Sequence, residues 1–258
     1  MRGNTALSRH LLASAAIFVL LALTAGCKTI DSTDTTGSIA APRSERDWQR
    51  DAEVYGERYR ANPRDTEAAL RYAQALRVSG QYAQAVAVLE RATLQAPKNR
   101  ALLGAYGRAL ADVGKYEQAL DVLGRAHTPD LPDWHILSAE GAVLDQMGRH
   151  DEARHYYETA LKIVPDEPSV LSNLGLSYAL AKDLPKAEAT LRRATARPGA
   201  EPRVRQNLAL VVGLQGRFKE AEQIAQADLP PEEAAANVTY LRQMLSQQNT
   251  WKNLGKRG

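Results

Sequence analysis

Small and bulky apolar residues recur along most of the chain with one period. Ala85, Ala119, Ala153, Ala187 and Ala221 stand 34 residues apart without a slip. Leu89, Leu123, Tyr157 and Leu191 follow the first four of these alanines, and Ala92, Ala126, Ala160 and Ala194 come three residues later. That spacing keeps both positions on one helical face. A second small series, Ala73, Gly107, Gly141, Gly175 and Ala209, marks the point where two helices of a pair must approach closely. Between the two series Gly80, Gly114, Gly148 and Gly216 stand where a first helix ends in a left-handed residue, with Lys182-Asp183 in that place in the fourth repeat. Pro97 and Pro165, and Pro132 and Pro198 one residue out of step, end each unit, because proline cannot continue a helix. The pattern predicts one helix pair per repeat and five repeats, at 66–99, 100–133, 134–167, 168–201 and 202–228.

A stack of this kind would expose an apolar face at each end unless it were capped. Trp48, Tyr55 and Pro63 fit the second half of a preceding repeat, which predicts a front helix over 45–63. At the back, Pro230-Pro231-Glu232-Glu233 starts a helix with acids in its first turn, and Val238, Leu241 and Leu245 recur at helical spacing. A closing helix over 229–248 is expected, followed by a flexible tail at 249–258 with Trp251 as a local packing contact.

The amino terminus has another character. Arg2 and Arg9 precede an apolar run from Leu11 to Leu23, which ends in Leu23-Thr24-Ala25-Gly26-Cys27. Counted to Ala25 the run is 15 residues, short of the ~20 that span a bilayer, so it reads as a signal peptide over 1–26. The cleavage region resembles the lipobox of bacterial lipoproteins, with Thr24 where that motif most often has leucine. The resemblance implies lipidation of Cys27, the one cysteine of the chain. Several acyl chains hold a protein durably on a membrane where one does not. Lys28 stands where an aspartate favours inner-membrane retention in such lipoproteins, which points to the outer membrane, periplasmic face. The polar stretch over 27–44 is then a tether, with a reach of roughly 20–25 Å as a flexible coil.

Charge narrows the partners. The chain carries 33 basic and 30 acidic residues, and setting Arg2 and Arg9 aside leaves a net charge of +1, so nothing marks a nucleic-acid binder. No catalytic constellation is visible. Gly107 to Gly114-Lys115 has six intervening residues instead of the four of a phosphate loop, with Tyr116 where a serine or threonine is required. His127, His135, His150 and His155 lack zinc-site spacing and are expected to be solvated or to face a partner. Neither a metal, a cofactor nor a small-molecule substrate is expected, and the chain reads as a non-enzyme.

The repeat pattern over Thr66 to Asp228 resembles the tetratricopeptide repeat (TPR) family. The resemblance implies an all-α fold, a right-handed superhelical solenoid whose inner wall is lined by positions two, five, six, nine, twelve and thirteen of each first helix. Toward the amino end these include Gln74, Arg77, Arg108 and Asp112; toward the carboxyl end they are Asn173, Leu176, Leu180, Asn207, Leu210 and Leu214. Paired amides can hold an extended peptide backbone while leucines bury its apolar side chains. Equally, the asparagines can be ordinary repeat residues and the leucines packing contacts. The lysine–asparagine clamp of chaperone-tail grooves is not matched: its positions hold Leu70, Gln74, Gly104 and Arg108.

Lipobox, tether, repeats and the segment from Asp228 to Val238 together resemble the TadD-type lipoproteins of the tight-adherence (Flp) pilus system. That implies an outer-membrane scaffold assisting assembly or placement of the pilus secretin, its groove taking a peptide or helix from a machine component. The alternative is a repeat lipoprotein that docks cell-wall enzymes or envelope-maintenance factors.

Overall fold

The computed structural model describes the backbone from 44 to 254 and the side chains from 44 to 247. The expected signal peptide, Cys27, nearly all of the tether, and the side chains of the tail including Trp251 lie outside the described residues.

Twelve helices follow one another: α1 Glu45–Ala61, α2 Thr66–Val78, α3 Tyr82–Gln95, α4 Arg100–Asp112, α5 Tyr116–Gly124, α6 Trp134–Gln146, α7 His150–Ile163, α8 Pro168–Leu180, α9 Leu184–Thr195, α10 Pro202–Leu214, α11 Phe218–Ala225 and α12 Pro231–Leu254. Among the described residues the sole β-type pairing is an isolated bridge between Thr128 and Leu131. No described helix is long and apolar enough to cross a membrane.

From α2 to α11 the helices alternate in register. The five first helices α2, α4, α6, α8 and α10 are each 13 residues long, and their starts repeat at intervals of 34. Each ends the same way. At the first turn Gly80 has φ +73°, its N–H bonds Arg77 O, and Gln81 N–H reaches back to Leu76 O at 2.8 Å. This double bond satisfies carbonyls the helix end would otherwise leave open. Lys115, Arg149, Asp183 and Arg217 repeat the long bond to Leu110, Leu144, Tyr178 and Val212. In the fourth repeat Lys182 takes the left-handed conformation itself, φ +67°, without a glycine's freedom.

Two of the small positions show why bulk is excluded there. A Cβ on Gly107 would lie 2.5 Å from Leu123 Cγ, and one on Gly175 would lie 2.6 Å from Leu191 Cγ. The five period-setting alanines are fully buried, as are Leu89, Leu123, Tyr157 and Leu191 to within 1%. The core is therefore a chain of small clusters, each spanning one pair and its neighbour.

Curvature follows from who touches whom. Every first helix contacts the next first helix, whereas no second helix contacts the next second helix among the described residues. The first helices thus crowd the inner side and the second helices spread along the outer one. At the ends, α1 packs on α2 through Gly56 and Tyr59, and α12 packs on α10 and α11 through Ala234, Val238 and Leu241. Leu245 is half-buried. The backbone of α12 stays helical to Leu254, six residues beyond the expected end at 248.

Candidate partner-binding groove

The inner wall divides in two. Across repeats one to three lies a cleft of about 600 Å³, lined by Leu70, Gln74 and Arg77 of α2, Arg100, Ala101, Gly104, Ala105 and Arg108 of α4, and His135 and Ile136 of α6. Gly104 leaves its floor low, since a Cβ there would meet Ile136 Cδ1 at 2.5 Å. The predicted residues Gln74, Arg77 and Arg108 come together in this cleft. Arg77 pairs with Asp112 across α2 and α4. Asp133 caps α6, accepting from His135 N–H at 2.8 Å and lying 3.2 Å from its Nδ1. Arg108 has neither ion pair nor hydrogen bond among the described residues, and its guanidinium folds back over Gly104. Burial, and then the like charge of Arg77, push its pKa below the ordinary arginine value. Arg100 and Ile136, at positions one and three of their first helices, lie outside the groove positions expected from sequence, whereas His135 stands at position two, which is one of them.

Across repeats four and five the wall is apolar. Leu176, Leu180, Leu210 and Leu214 are all half-buried, one flank packed and the other open. The asparagines are engaged inside the array. Asn173 Nδ2 donates to Ser138 Oγ at 3.1 Å, and Asn207 Nδ2 donates to Ser172 Oγ at 2.9 Å, each tying one first helix to the preceding one. One of the two N–H donors of each amide is therefore already taken by the array. Asn207 is only 7% exposed.

Two histidines depart from the expectation of solvation. His127 Nε2 lies 3.1 Å from Glu140 Oε2, and burial raises the pKa of Glu140 to about 7 while lowering that of His127. His150 Nδ1 lies 2.8 Å from Asp145 Oδ1, the same oxygen that accepts from Ser177 Oγ at 2.8 Å. Tyr157 donates to the other oxygen at 3.0 Å. Burial and the nearby carboxylate push the Tyr157 phenol up, so it remains a donor. The Asp145 contacts join α6, α7 and α8, the His127 contact ties the α5–α6 connection to α6, and both carboxylates are buried, which marks the contacts as structural. The glycines of the loop-like motif are structural too: Gly107 is inside α4 and Gly114, φ +76°, ends the helix turn.

Comparison with known proteins agrees with this geometry. Residues 46–126 match the family model of anaphase-promoting complex, cyclosome, subunit 3, and residues 139–202 match a tetratricopeptide repeat model. No curated protein matches the chain. Among solved structures, PilW, a type IV pilus biogenesis factor, is 17% identical with a TM-score of 0.62 over 75% of this chain and 91% of that one. TTC0263, a thermophilic TPR protein of Thermus thermophilus, is 24% identical with a TM-score of 0.59 over 67% and 98%. The APC/C heterotetramer Cut9–Hcn1 contains a chain 14% identical, TM-score 0.59, over 76% and 40%. At these identities the likeness is one of fold.

Proposed function

We propose that this chain, a tetratricopeptide-repeat protein, is a lipid-anchored scaffold of the bacterial outer membrane that holds segments of partner proteins along its inner wall, in the service of Flp pilus secretin assembly. The scaffold role is carried by one observation: five hairpins in unbroken register present a continuous inner face on which Gln74 is exposed and Arg77, Arg108, Leu176, Leu180, Leu210 and Leu214 stay partly open, while Asn207 closes into the array. TPR proteins as a class bind protein partners or peptides, and an array of paired helices supplies a surface without reactive groups of its own. The anchor rests on the lipobox resemblance at Cys27, and the pilus assignment on the resemblance to TadD-type lipoproteins. PilW, a pilus biogenesis factor, shows that this fold serves in a pilus system.

Deleting the gene is expected to abolish surface pili and lower secretin multimers; normal amounts of both would remove the pilus assignment. Metabolic labelling with a fatty acid should mark the wild-type protein and leave a Cys27→Ser variant unlabelled. Replacing Leu176 and Leu210 with glutamate should weaken partner capture while circular dichroism stays helical. Loss of helicity would assign those leucines to the core instead.

A further inference from the structure

The cleft at the amino-terminal end of the inner wall holds a partly buried guanidinium, that of Arg108, which no ion pair or hydrogen bond engages among the described residues. Three arginines converge on it, together with two carboxylates. Both carboxylates are engaged, Asp112 by Arg77 and Asp133 by the first turn of α6. Arg100 and Arg108 are left without ion pairs among the described residues. Arg100 is exposed at the rim; Arg108 is half-buried over the glycine floor. Asp133 and Asp112 act on the Arg108 charge without bonding it, and burial together with Arg77 outweighs them, an unfavourable balance that an incoming carboxylate, held by two parallel donors, relieves. The surroundings suit a polypeptide. Leu70, Ala101, Ala105 and Ile136 give apolar walls, while the exposed Gln74 amide can both donate and accept. With about 600 Å³ of space the cleft is an open groove, which admits an extended segment along its length.

We infer that this cleft seats an acidic side chain, aspartate or glutamate, of a partner segment, with Arg108 as its bidentate contact and Arg100 beside it. The inference rests on the groove reading above and deepens it. The inner wall continues from Ile136 through two further repeats to the leucines of α8 and α10. A segment long enough to reach both ends presents its side chains to Arg108, not its own terminus. The preferred occupant is therefore acidic at one end and apolar at the other.

The test uses the full-length chain and three synthetic leucine–alanine peptides: one with blocked ends and an internal Glu-Glu pair, one with blocked ends and Gln-Gln in its place, and the Gln-Gln peptide with a free carboxyl terminus. Binding is followed by NMR of the arginine Nε–Hε resonances and by calorimetry. The Glu-Glu peptide should bind roughly tenfold or more tightly than its blocked Gln-Gln counterpart and should move the Arg108 resonance. Arg108→Gln should erase that difference with helicity intact, and Arg108→Lys should restore part of it. Equal binding of the blocked peptides, or an advantage that survives Arg108→Gln, overturns the inference. So does preference for the free carboxyl terminus, or the absence of binding by all three. The groove reading fails separately, through indifference of partner capture to Leu176→Glu and Leu210→Glu.

Discussion

At the ninth residue of successive first helices the inner wall carries Gln74, Arg108, Ala142, Leu176 and Leu210, passing from polar and cationic to apolar over one array. The backbone beneath does not change: every first helix has 13 residues and the same closing turn. The difference separates two kinds of position. Residues facing the partner helix of the hairpin fix the fold and admit little variety. Residues facing the inner surface are packed on fewer sides, and the neighbours they do bond, Asp112 for Arg77 and Ser138 and Ser172 for Asn173 and Asn207, differ from repeat to repeat. Their chemistry can therefore vary along the wall and set what each half recognises.

If the two halves share one frame, equal insults to it should have equal effects. Gly107→Val in the cationic half and Gly175→Val in the apolar half each drive a side chain into a leucine whose Cγ lies 2.5 Å or 2.6 Å from the new Cβ. Each should cost about 2–3 kcal/mol of stability in urea unfolding. A cost in one half only would show that the frames differ where the backbone says they match.

The frame was legible because it is periodic. Alanine, glycine and bulky positions announced the helix pairs, and the structure adds a further series that the sequence also contained. Asp65, Asn99, Asp133, Glu167 and Glu201 stand at the N-caps of the first helices, 34 residues apart, and the first four accept a backbone N–H with their side chains. What could not be read was contact that occurs once. His127 with Glu140, and Asp145 with His150, Tyr157 and Ser177, belong to the middle of the array and have no counterpart one repeat away. Their partners are brought close by packing between pairs, a tertiary effect without a period. The groove was legible in part for the same reason: Gln74, Arg77 and Arg108 follow from helix position, while Arg100 and Ile136 enter the cleft through the approach of one repeat to the next.

The joint between the halves should respond to pH. Glu140 is 4% exposed, and burial raises its carboxyl from 4.5 to about 7. Because the folded pKa lies above the unfolded one, the native state binds this proton more tightly. The stabilisation is complete below about pH 4.5 and is lost as pH climbs through about 7. Relative to Glu140→Gln, which still offers His127 a donor, the wild type should lose about 2–3 kcal/mol between pH 4.5 and pH 8. Parallel stability–pH curves for the two proteins would mean that the carboxylate is not held protonated.

The smallest effect concerns how each half is tied together. In the apolar half Ser138 bonds Asn173 and Ser172 bonds Asn207, joining repeats three to four and four to five. One repeat earlier the same pair of positions holds Gly104 and Ala139, and two repeats earlier Leu70 and Ala105. No polar tie can form there, and Leu70, Gly104 and Ala105 line the open cleft instead. Asn207→Ala should cost about 1 kcal/mol, more than Asn173→Ala, because the hydroxyl it abandons, Ser172, is 2% exposed whereas Ser138 is 8% exposed. Removing Ser172 as well should recover part of the loss, and the double-mutant cycle reads the tie directly. Native-state hydrogen exchange should then show faster opening of α10 than of α4 in Asn207→Ala, since α4 never had such a tie to lose. An unchanged α10 would show that the leucine stripe, without the amides, holds that half of the wall in place.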